Sequence, residues 1–216
     1  MHFLFSVEGN IGSGKSTLLK LLKEQLKTVG HREVVYLPEP VNFWESVKDG
    51  GGKNIIEKFY ENPEKYAFPF QMLAYVSMLH QLKETLKRFD NVIIISERSV
   101  FSCKNTFAKM LRDDNKIDAI EYNIYCQWFY EFLEDISLAG IIYVKSDPEI
   151  CEKRILKRNR RGETPPLSYL QNCHKYHEKW LNNETAPVLN LEEHGNSLLE
   201  KIQMFVSGVC QKKFSS

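Results

Sequence analysis

Residues Gly9-Asn10-Ile11-Gly12-Ser13-Gly14-Lys15-Ser16 carry the spacing G-x-x-x-x-G-K-[ST], and Thr17 follows. Glycines at these places let backbone N–H groups turn inward around phosphate oxygens, while the helix that follows presents its positive end to them. Lys15 is set to reach β- and γ-phosphates, and Ser16 to put its hydroxyl on Mg²⁺. The run stands between a strand pattern, His2 to Val7, and a helix pattern with Leu18, Leu19, Leu22 and Leu26 at helical spacing. That is the context such a loop requires, so Gly9 to Thr17 read as a binding site for ATP or GTP.

Ser96-Glu97-Arg98-Ser99 directly follows the β-branched run Val92 to Ile95. At the carboxyl end of a parallel strand, an acid can hold Mg²⁺ through water and an arginine can bind phosphate or orient a carboxylate. The alternative for Glu97 and Arg98 is a solvated pair at a strand end. Between Cys151 and Arg161 stand six basic residues and one acid, running into Gly162 and Pro165-Pro166. Such a run is either a solvated helix face or a hinged lid whose arginines stabilise a transferring phosphoryl group. Glu39, held between Pro38 and Pro40 with Trp44 nearby, suits a general base, or is a solvated turn acid. Gln71, Ala74 and Met78 fall within about 60° of one another on a helix. A glutamine amide there can pair with a nucleobase edge, or be satisfied by backbone inside a core.

The elements that must position these residues are short apolar strands alternating with helices. Strand patterns lie at His2–Val7, Val34–Leu37, Val92–Ile95, Ile141–Val144 and Val188–Leu189. Helix patterns run from Lys15, from Pro63 to about Phe89 with Pro69 restricting or kinking the first turns, from about Asp118 to Leu138, from Pro148, from Leu167, and at the end of the chain. Gly50-Gly51-Gly52 is a surface loop. The alternation predicts an α/β fold with a five-stranded parallel sheet flanked by helices. The 216 residues suit one domain. With 29 Lys+Arg against 28 Asp+Glu the net charge is +1, which argues against a nucleic-acid polymer as partner. No apolar run of about 18 residues exists, which argues against a membrane. The five cysteines form no C-x-x-C pair and read as reduced thiols. With no signal or transit pattern, the expected compartment is the cytoplasm or nucleus.

GNIGSGKST, LPEPVNFW, NPEKYAFPFQ, SERSVFS, the RxxxRxR run and HxxHExWL, in this order from about Phe3 to Leu191, resemble the cellular-type deoxyribonucleoside kinases. The pocket is most similar to the thymidine-accepting, multisubstrate members. The resemblance implies a P-loop kinase fold in a single kinase domain spanning 1–216, with an Arg-rich lid at about 158–166. It also implies Mg-ATP as cofactor, a deoxyribonucleoside as partner and a homodimer formed through helices. Glu39 then matches the general base for the 5′-hydroxyl, Arg98 the arginine that interacts with that acid, and Glu97 the acid associated with magnesium. Gln71 matches the glutamine that pairs with the base, while Phe107 and the Phe70/Trp44 side resemble an aromatic sandwich. Tyr60 and Glu163 match the pair that holds the 3′-hydroxyl, and Arg154, Arg158 and Arg160 the lid arginines.

Members preferring deoxycytidine or purines resemble one another in an Arg on the pocket helix and an Asp after E-R-S, where this chain has Met78 and Cys103. Thymidine and deoxycytidine are therefore the expected substrates, with purines weaker. The lid is about one residue shorter than usual, with Gly162 in place of a second acid. Glu192-Glu193-His194-Gly195 lacks an Asp-containing loop, which leaves the donor open between ATP and GTP. Cys173, His174 and His177 match the family's structural HxxHExWL segment rather than a metal site. The aromatic run Tyr122 to Phe132 fits either a dimer interface or a core. Two competing readings are a thymidylate or other nucleoside monophosphate kinase and a non-catalytic nucleotide-binding relative. The first needs cations on the acceptor side, where the residues are Glu39, Gln71 and Tyr60; intact Lys15, Ser16, Glu39, Glu97 and Arg98 argue against the second.

Overall fold

The computed structural model describes residues 2–133, 136–191 and 198–212. Its sheet is built from β1 (Phe3–Glu8), β2 (Thr28–Val29), β3 (Arg32–Leu37), β4 (Ile93–Glu97), β5 (Gly140–Val144) and β6 (Val188–Leu191). The order is β2-β3-β4-β1-β5-β6. All neighbours pair parallel except β2, which runs antiparallel to β3. The expected five-stranded parallel sheet is thus six-stranded. The added strand is two residues long, too short to leave an apolar signature, and turns into β3 at Gly30, whose φ is 59°.

Successive side chains of a strand point to opposite faces, and here both faces are apolar. Phe3, Phe5, Val7, Ile93 and Ile95 pack on one side with α1 (Lys15–Gln25) and α10 (Leu198–Lys212). Leu4 and Ile94 face the other way, onto Leu82 of α4 (Pro63–Arg88), while Ile141 and Tyr143 meet Trp180 and Leu181 of α9 (Leu167–Leu181). Ile93, Ile94 and Ile95 are each fully buried, stabilising the fold by about 1.5–3 kcal/mol apiece.

The helix α4 runs unbroken through Pro69. Proline removes one backbone donor, but Pro69 and Lys65, whose carbonyl loses its partner, are both exposed, so water can satisfy it. Two short helices, α2 (Val41–Ser46) and α3 (Ile55–Glu61), follow β3 and were not anticipated, although α3 opens with a capping box between Asn54 and Glu57. After β4 come a single turn α5 (Val100–Ser102), a π-helical stretch Cys103–Ala108 and α6 (Lys109–Asp113). The next helix, α7 (Ala119–Glu131), ends earlier than the Asp118–Leu138 pattern suggested. Ile136 and Leu138 instead pack under the sheet, and the Ala139 N–H donates to the Leu4 carbonyl on the way into β5. The helix α8 (Pro148–Arg158) completes the set. Among the described residues, no helix is long and apolar enough to cross a membrane.

Candidate active site

Parallel pairing brings the chemical residues to one end of the sheet. Val7 lies opposite Glu97, so the loop after β1 and the Ser96–Ser99 segment emerge side by side. Leu37 of β3 lies opposite Ser96 of β4, so Glu39 and Arg98 each stand two residues past a paired position. They meet: Arg98 Nε donates to Glu39 Oε1 at 2.8 Å. Arg98 Nη1 also donates to the Gly9 carbonyl at 2.8 Å, tying this ion pair to the phosphate loop.

In that loop Gly9, Gly12 and Gly14 have φ of 144°, 79° and 106°. A Cβ on Gly9 would run into the Val144 carbonyl oxygen, and one on Gly12 would come 2.6 Å from that of Cys151. The glycines are therefore required by both backbone conformation and close approach. No side chain caps the N-terminus of α1 at Gly14, which leaves its N–H groups facing the loop. Asn10 anchors the loop from outside, its amide donating to the Leu170 carbonyl at 2.8 Å. Lys15 is 4% exposed and donates to the Asn10 carbonyl at 2.6 Å. The Ser16 hydroxyl donates to Glu97. Burial raises the Glu97 carboxyl pKa, as does the Glu39 charge, with Lys15 opposing. Ser16 and Glu97 are thus oxygen donors in contact, one a buried carboxylate, which suits a hard divalent cation that also takes ligands from phosphates and water.

A cavity of about 900 Å³ is lined by Lys15, Ser16 and Thr17, by Glu39, Glu97 and Arg98, and by Gln71. Gln71, Ala74 and Met78 face it from α4. Gln71 is 4% exposed and has no hydrogen-bond partner among the described residues, so it is not a core amide satisfied by backbone. Trp44 is buried, donates to the Ser77 hydroxyl at 2.8 Å and packs edge-on against Phe70 at 5.7 Å. Phe107 lies across the cavity wall beneath the Arg98 guanidinium, 4.7 Å away. The Cys103 and Met78 sulfurs touch at 3.6 Å. Cys103 and Phe107 both come from the π-helical stretch, whose wider turn is a common feature of functional sites. At the far rim, Arg158 pairs with Glu163, and Arg160 lies 3.4 Å from Glu163 and 3.8 Å from Glu45. Arg154 donates to the Ser13 carbonyl at 3.0 Å, and Arg154, Arg158, Arg160, Tyr60 and Glu163 all line the cavity.

The sequence comparisons decide the family. The family model described as deoxynucleoside kinase matches residues 5–207. A probable deoxycytidine kinase of fowlpox virus (strain NVSL) is 38% identical over 95% of this chain and 89% of its own length. The deoxycytidine kinase of Homo sapiens is 34% identical, covering 94% and 90%. A mitochondrial deoxyguanosine kinase of Xenopus laevis is 30% identical, covering 94% and 89%. The chain belongs to the deoxynucleoside kinase family. It is an enzyme of the P-loop kinase fold, and the family uses a nucleotide phosphate donor with a metal.

Several pocket residues of this kinase were not read from the sequence. Ile56 and Phe59 line the cavity from α3 beside Tyr60, and the Asn54-x-x-Glu57 capping box could have announced that helix. Gln81 lies one helical turn beyond Met78, and Tyr169 reaches in from the start of α9. Neither had a distinguishing pattern. Glu8 is also buried at the end of β1, where it accepts from the Ser99 hydroxyl at 2.7 Å. Burial raises its pKa, and its second oxygen has no partner among the described residues. In α7 the aromatic run divides by face: Tyr125 and Phe129 are core, whereas Ile120, Ile124, Trp128, Tyr130 and Phe132 are exposed. The Glu192–Gly195 segment lies outside the described residues.

Gly162 seats the segment that follows α8. Its φ is 76°, and a Cβ there would come 2.9 Å from Glu57 Cα and closer still to Glu57 Cγ. Beside it, Arg161 pairs with Glu57 at 3.1 Å. Substitution Gly162→Ala should therefore displace the neighbouring Glu163 and raise the nucleoside KM by about 10-fold, against 1–3 kcal/mol of backbone strain. Gly50→Ala, where nothing lies within 4 Å, should leave KM unchanged. Steady-state kinetics on the two variants checks this, and equal behaviour would refute it.

Proposed function

We propose that this enzyme transfers the γ-phosphoryl group of Mg-ATP to the 5′-hydroxyl of a deoxyribonucleoside, with thymidine and deoxycytidine preferred over purine nucleosides. The observation that carries the reading is the Glu39–Arg98 pair in a single cavity that Lys15 and Gln71 also line. Glu39 takes the hydroxyl proton as the O5′–Pγ bond forms and the bridging bond to the β-phosphate breaks. Lys15, Arg158 and Arg160 neutralise the charge on the transferring group. Ser16 and Glu97 would hold magnesium, which would supply further charge neutralisation on the phosphates. The backbone of Gly9 to Thr17 and the Arg154 side chain hold the donor's phosphates. Tyr60 and Glu163 hold the 3′-hydroxyl, and the base stacks between Phe107 and the Phe70/Trp44 side.

The base preference follows from uncharged walls. A Gln71 amide can be turned to serve thymine or cytosine. Met78 and Cys103, where deoxycytidine- and purine-preferring members resemble one another in an Arg and an Asp, carry no charge and leave room for a 5-methyl group. The thymidylate kinase alternative needs free cations for an acceptor phosphate, whereas the cavity's arginines are engaged, Arg98 with Glu39, Arg154 with the Ser13 carbonyl, and Arg158 and Arg160 with Glu163. A second cavity of about 510 Å³, lined by Lys145, Ser146, Asp147 and Arg154, lies on the outer side of the phosphate loop and suits the donor's base. Ile120, Ile124 and Trp128 form an exposed stripe on α7 that supports a homodimer. A single domain over 1–216, a lid at 158–166 and a cytoplasmic or nuclear location complete the proposal.

A panel of four deoxynucleosides and thymidylate tests it, run on the wild type and a Met78→Arg/Cys103→Asp double variant. The wild type should phosphorylate thymidine and deoxycytidine best. The double variant should lose about 100-fold in kcat/KM for thymidine while retaining deoxycytidine, as expected when a methyl group must share space with a new ion pair. Deoxyguanosine turnover equal to thymidine's overturns the preference. Thymidylate turnover without thymidine turnover overturns the reaction.

A further inference from the structure

The helix α9 carries a buried imidazole that the scheme above leaves unused. His177 is 0% exposed. Its Nδ1 lies 2.7 Å from the Cys173 carbonyl oxygen, which can only accept, so Nδ1 carries the proton. In a neutral ring Nε2 then keeps its lone pair. Arg98 Nη1 lies 3.4 Å from Nε2, and a guanidinium can only donate, so the polarity of this long contact is determined. Burial, followed by the Arg98 charge, holds the imidazole pKa well below its usual value, in keeping with a neutral ring. Phe107 stands edge-on to His177 at 5.9 Å and also lies beneath the Arg98 guanidinium. Tyr143 closes the opposite side, its ring nearly parallel at 6.3 Å and its hydroxyl donating to Glu178, the next residue of α9.

We propose that His177 is a positioning residue for phosphoryl transfer, its Nε2 and the Phe107 ring holding the Arg98 guanidinium in the orientation that points Nε at Glu39. Arg98 sits at a left-handed backbone position, φ 61°, immediately beyond β4, so its direction is not dictated by the strand. Three contacts replace that control: the Gly9 carbonyl, His177 and Phe107. The imidazole reaches both the guanidinium and the aromatic ring. It therefore links the acid–arginine pair to the wall against which the nucleobase stacks. The inference rests on the proposed role of Glu39 and Arg98.

The test is steady-state kinetics with thymidine on the full chain, comparing His177→Gln, His177→Asn and His177→Phe, with Glu39→Gln alongside and the same substitutions repeated on Arg98→Lys. A glutamine can set an amide oxygen near the place of Nε2, whereas asparagine reaches only the place of Nδ1. The Asn and Phe variants should lose about 30-fold in kcat with nucleoside KM within 3-fold, the scale of a misaligned catalytic group. The Gln variant should recover to within about 3-fold of wild type, and on Arg98→Lys all three should change kcat by less than that. Equal losses in the Gln and Asn variants, full activity in the Asn variant, or losses undiminished on Arg98→Lys would overturn the proposal. Should the Phe variant not fold, the Gln–Asn contrast decides. Wild-type kcat in Glu39→Gln overturns the general-base reading itself, whereas an inactive Glu39→Gln beside a fully active His177→Asn overturns this inference alone.

Discussion

Replacing Glu39 with glutamine is expected to lower kcat for thymidine by about 10³-fold, within the range a positioned general base contributes. The nucleoside KM should stay within about 3-fold, because the amide keeps size, shape and one acceptor oxygen for Arg98. Arg98 does not collapse into the vacancy left by the charge, since its Nη1 remains bonded to the Gly9 carbonyl. The variant should therefore bind both substrates and fail at the proton transfer. Single-turnover measurement at saturating nucleoside separates this from a binding defect. A loss carried mainly by KM would instead make Glu39 a binding group.

Replacing Lys15 with methionine is expected to lower kcat/KM by about 10³-fold, because in the proposed scheme this buried cation neutralises the transferring phosphoryl group. Its effect on stability has the opposite sign. Burial, and then the Arg98 charge, pull the Lys15 pKa down from 10.5 to about 8, with Glu39, Glu97 and Glu8 opposing. That shift corresponds to about 3 kcal/mol of penalty on the charged form in the unliganded protein. Methionine relieves the penalty but leaves the Asn10 carbonyl without its donor, at about 1–2 kcal/mol. The variant should thus be more stable than wild type near neutral pH by about 1–2 kcal/mol. Between about pH 8 and 10.5 the unfolded chain binds more protons at this site than the folded one, so wild-type stability rises relative to the variant and the gap closes. Denaturant titrations of both proteins below pH 8 and near pH 10 check this; a gap independent of pH would refute it. Donor binding should also take up a proton near pH 8, because phosphate favours the charged amine.

Much of the phosphate site was legible because its determinants are local. The glycine φ values and the buried Lys15 lie where G-x-x-x-x-G-K-S between a strand and a helix places them, whereas the Ser16–Glu97 contact needed β1 and β4 to pair. The acceptor side was less so. By its local pattern Gln71 read better as a satisfied core amide, and the cavity beside it, with no hydrogen-bond partner among the described residues, distinguishes the two. Tyr122 to Phe132 has apolar residues on every side, so periodicity could not separate core from surface; α7 buries Tyr125 and Phe129 and exposes Trp128. The strand β2 and the helices α2 and α3 were missed because elements of 2, 6 and 7 residues offer too few positions for a period to emerge.

By itself the sequence determined which chemistry each residue could perform: a phosphate loop, a carboxylate between prolines, an acid–arginine pair after a strand and a run of arginines. The tertiary structure alone decided which of them meet. Glu39 and Arg98 come together because β3 and β4 pair with Leu37 opposite Ser96, and a shift by one residue would turn one side chain away from the other. His177 reaches Arg98 only because α9 packs against the π-helical stretch that carries Phe107. Residue type and local spacing set what a side chain can do, whereas strand register and helix packing act between segments distant in the chain, which no local pattern records.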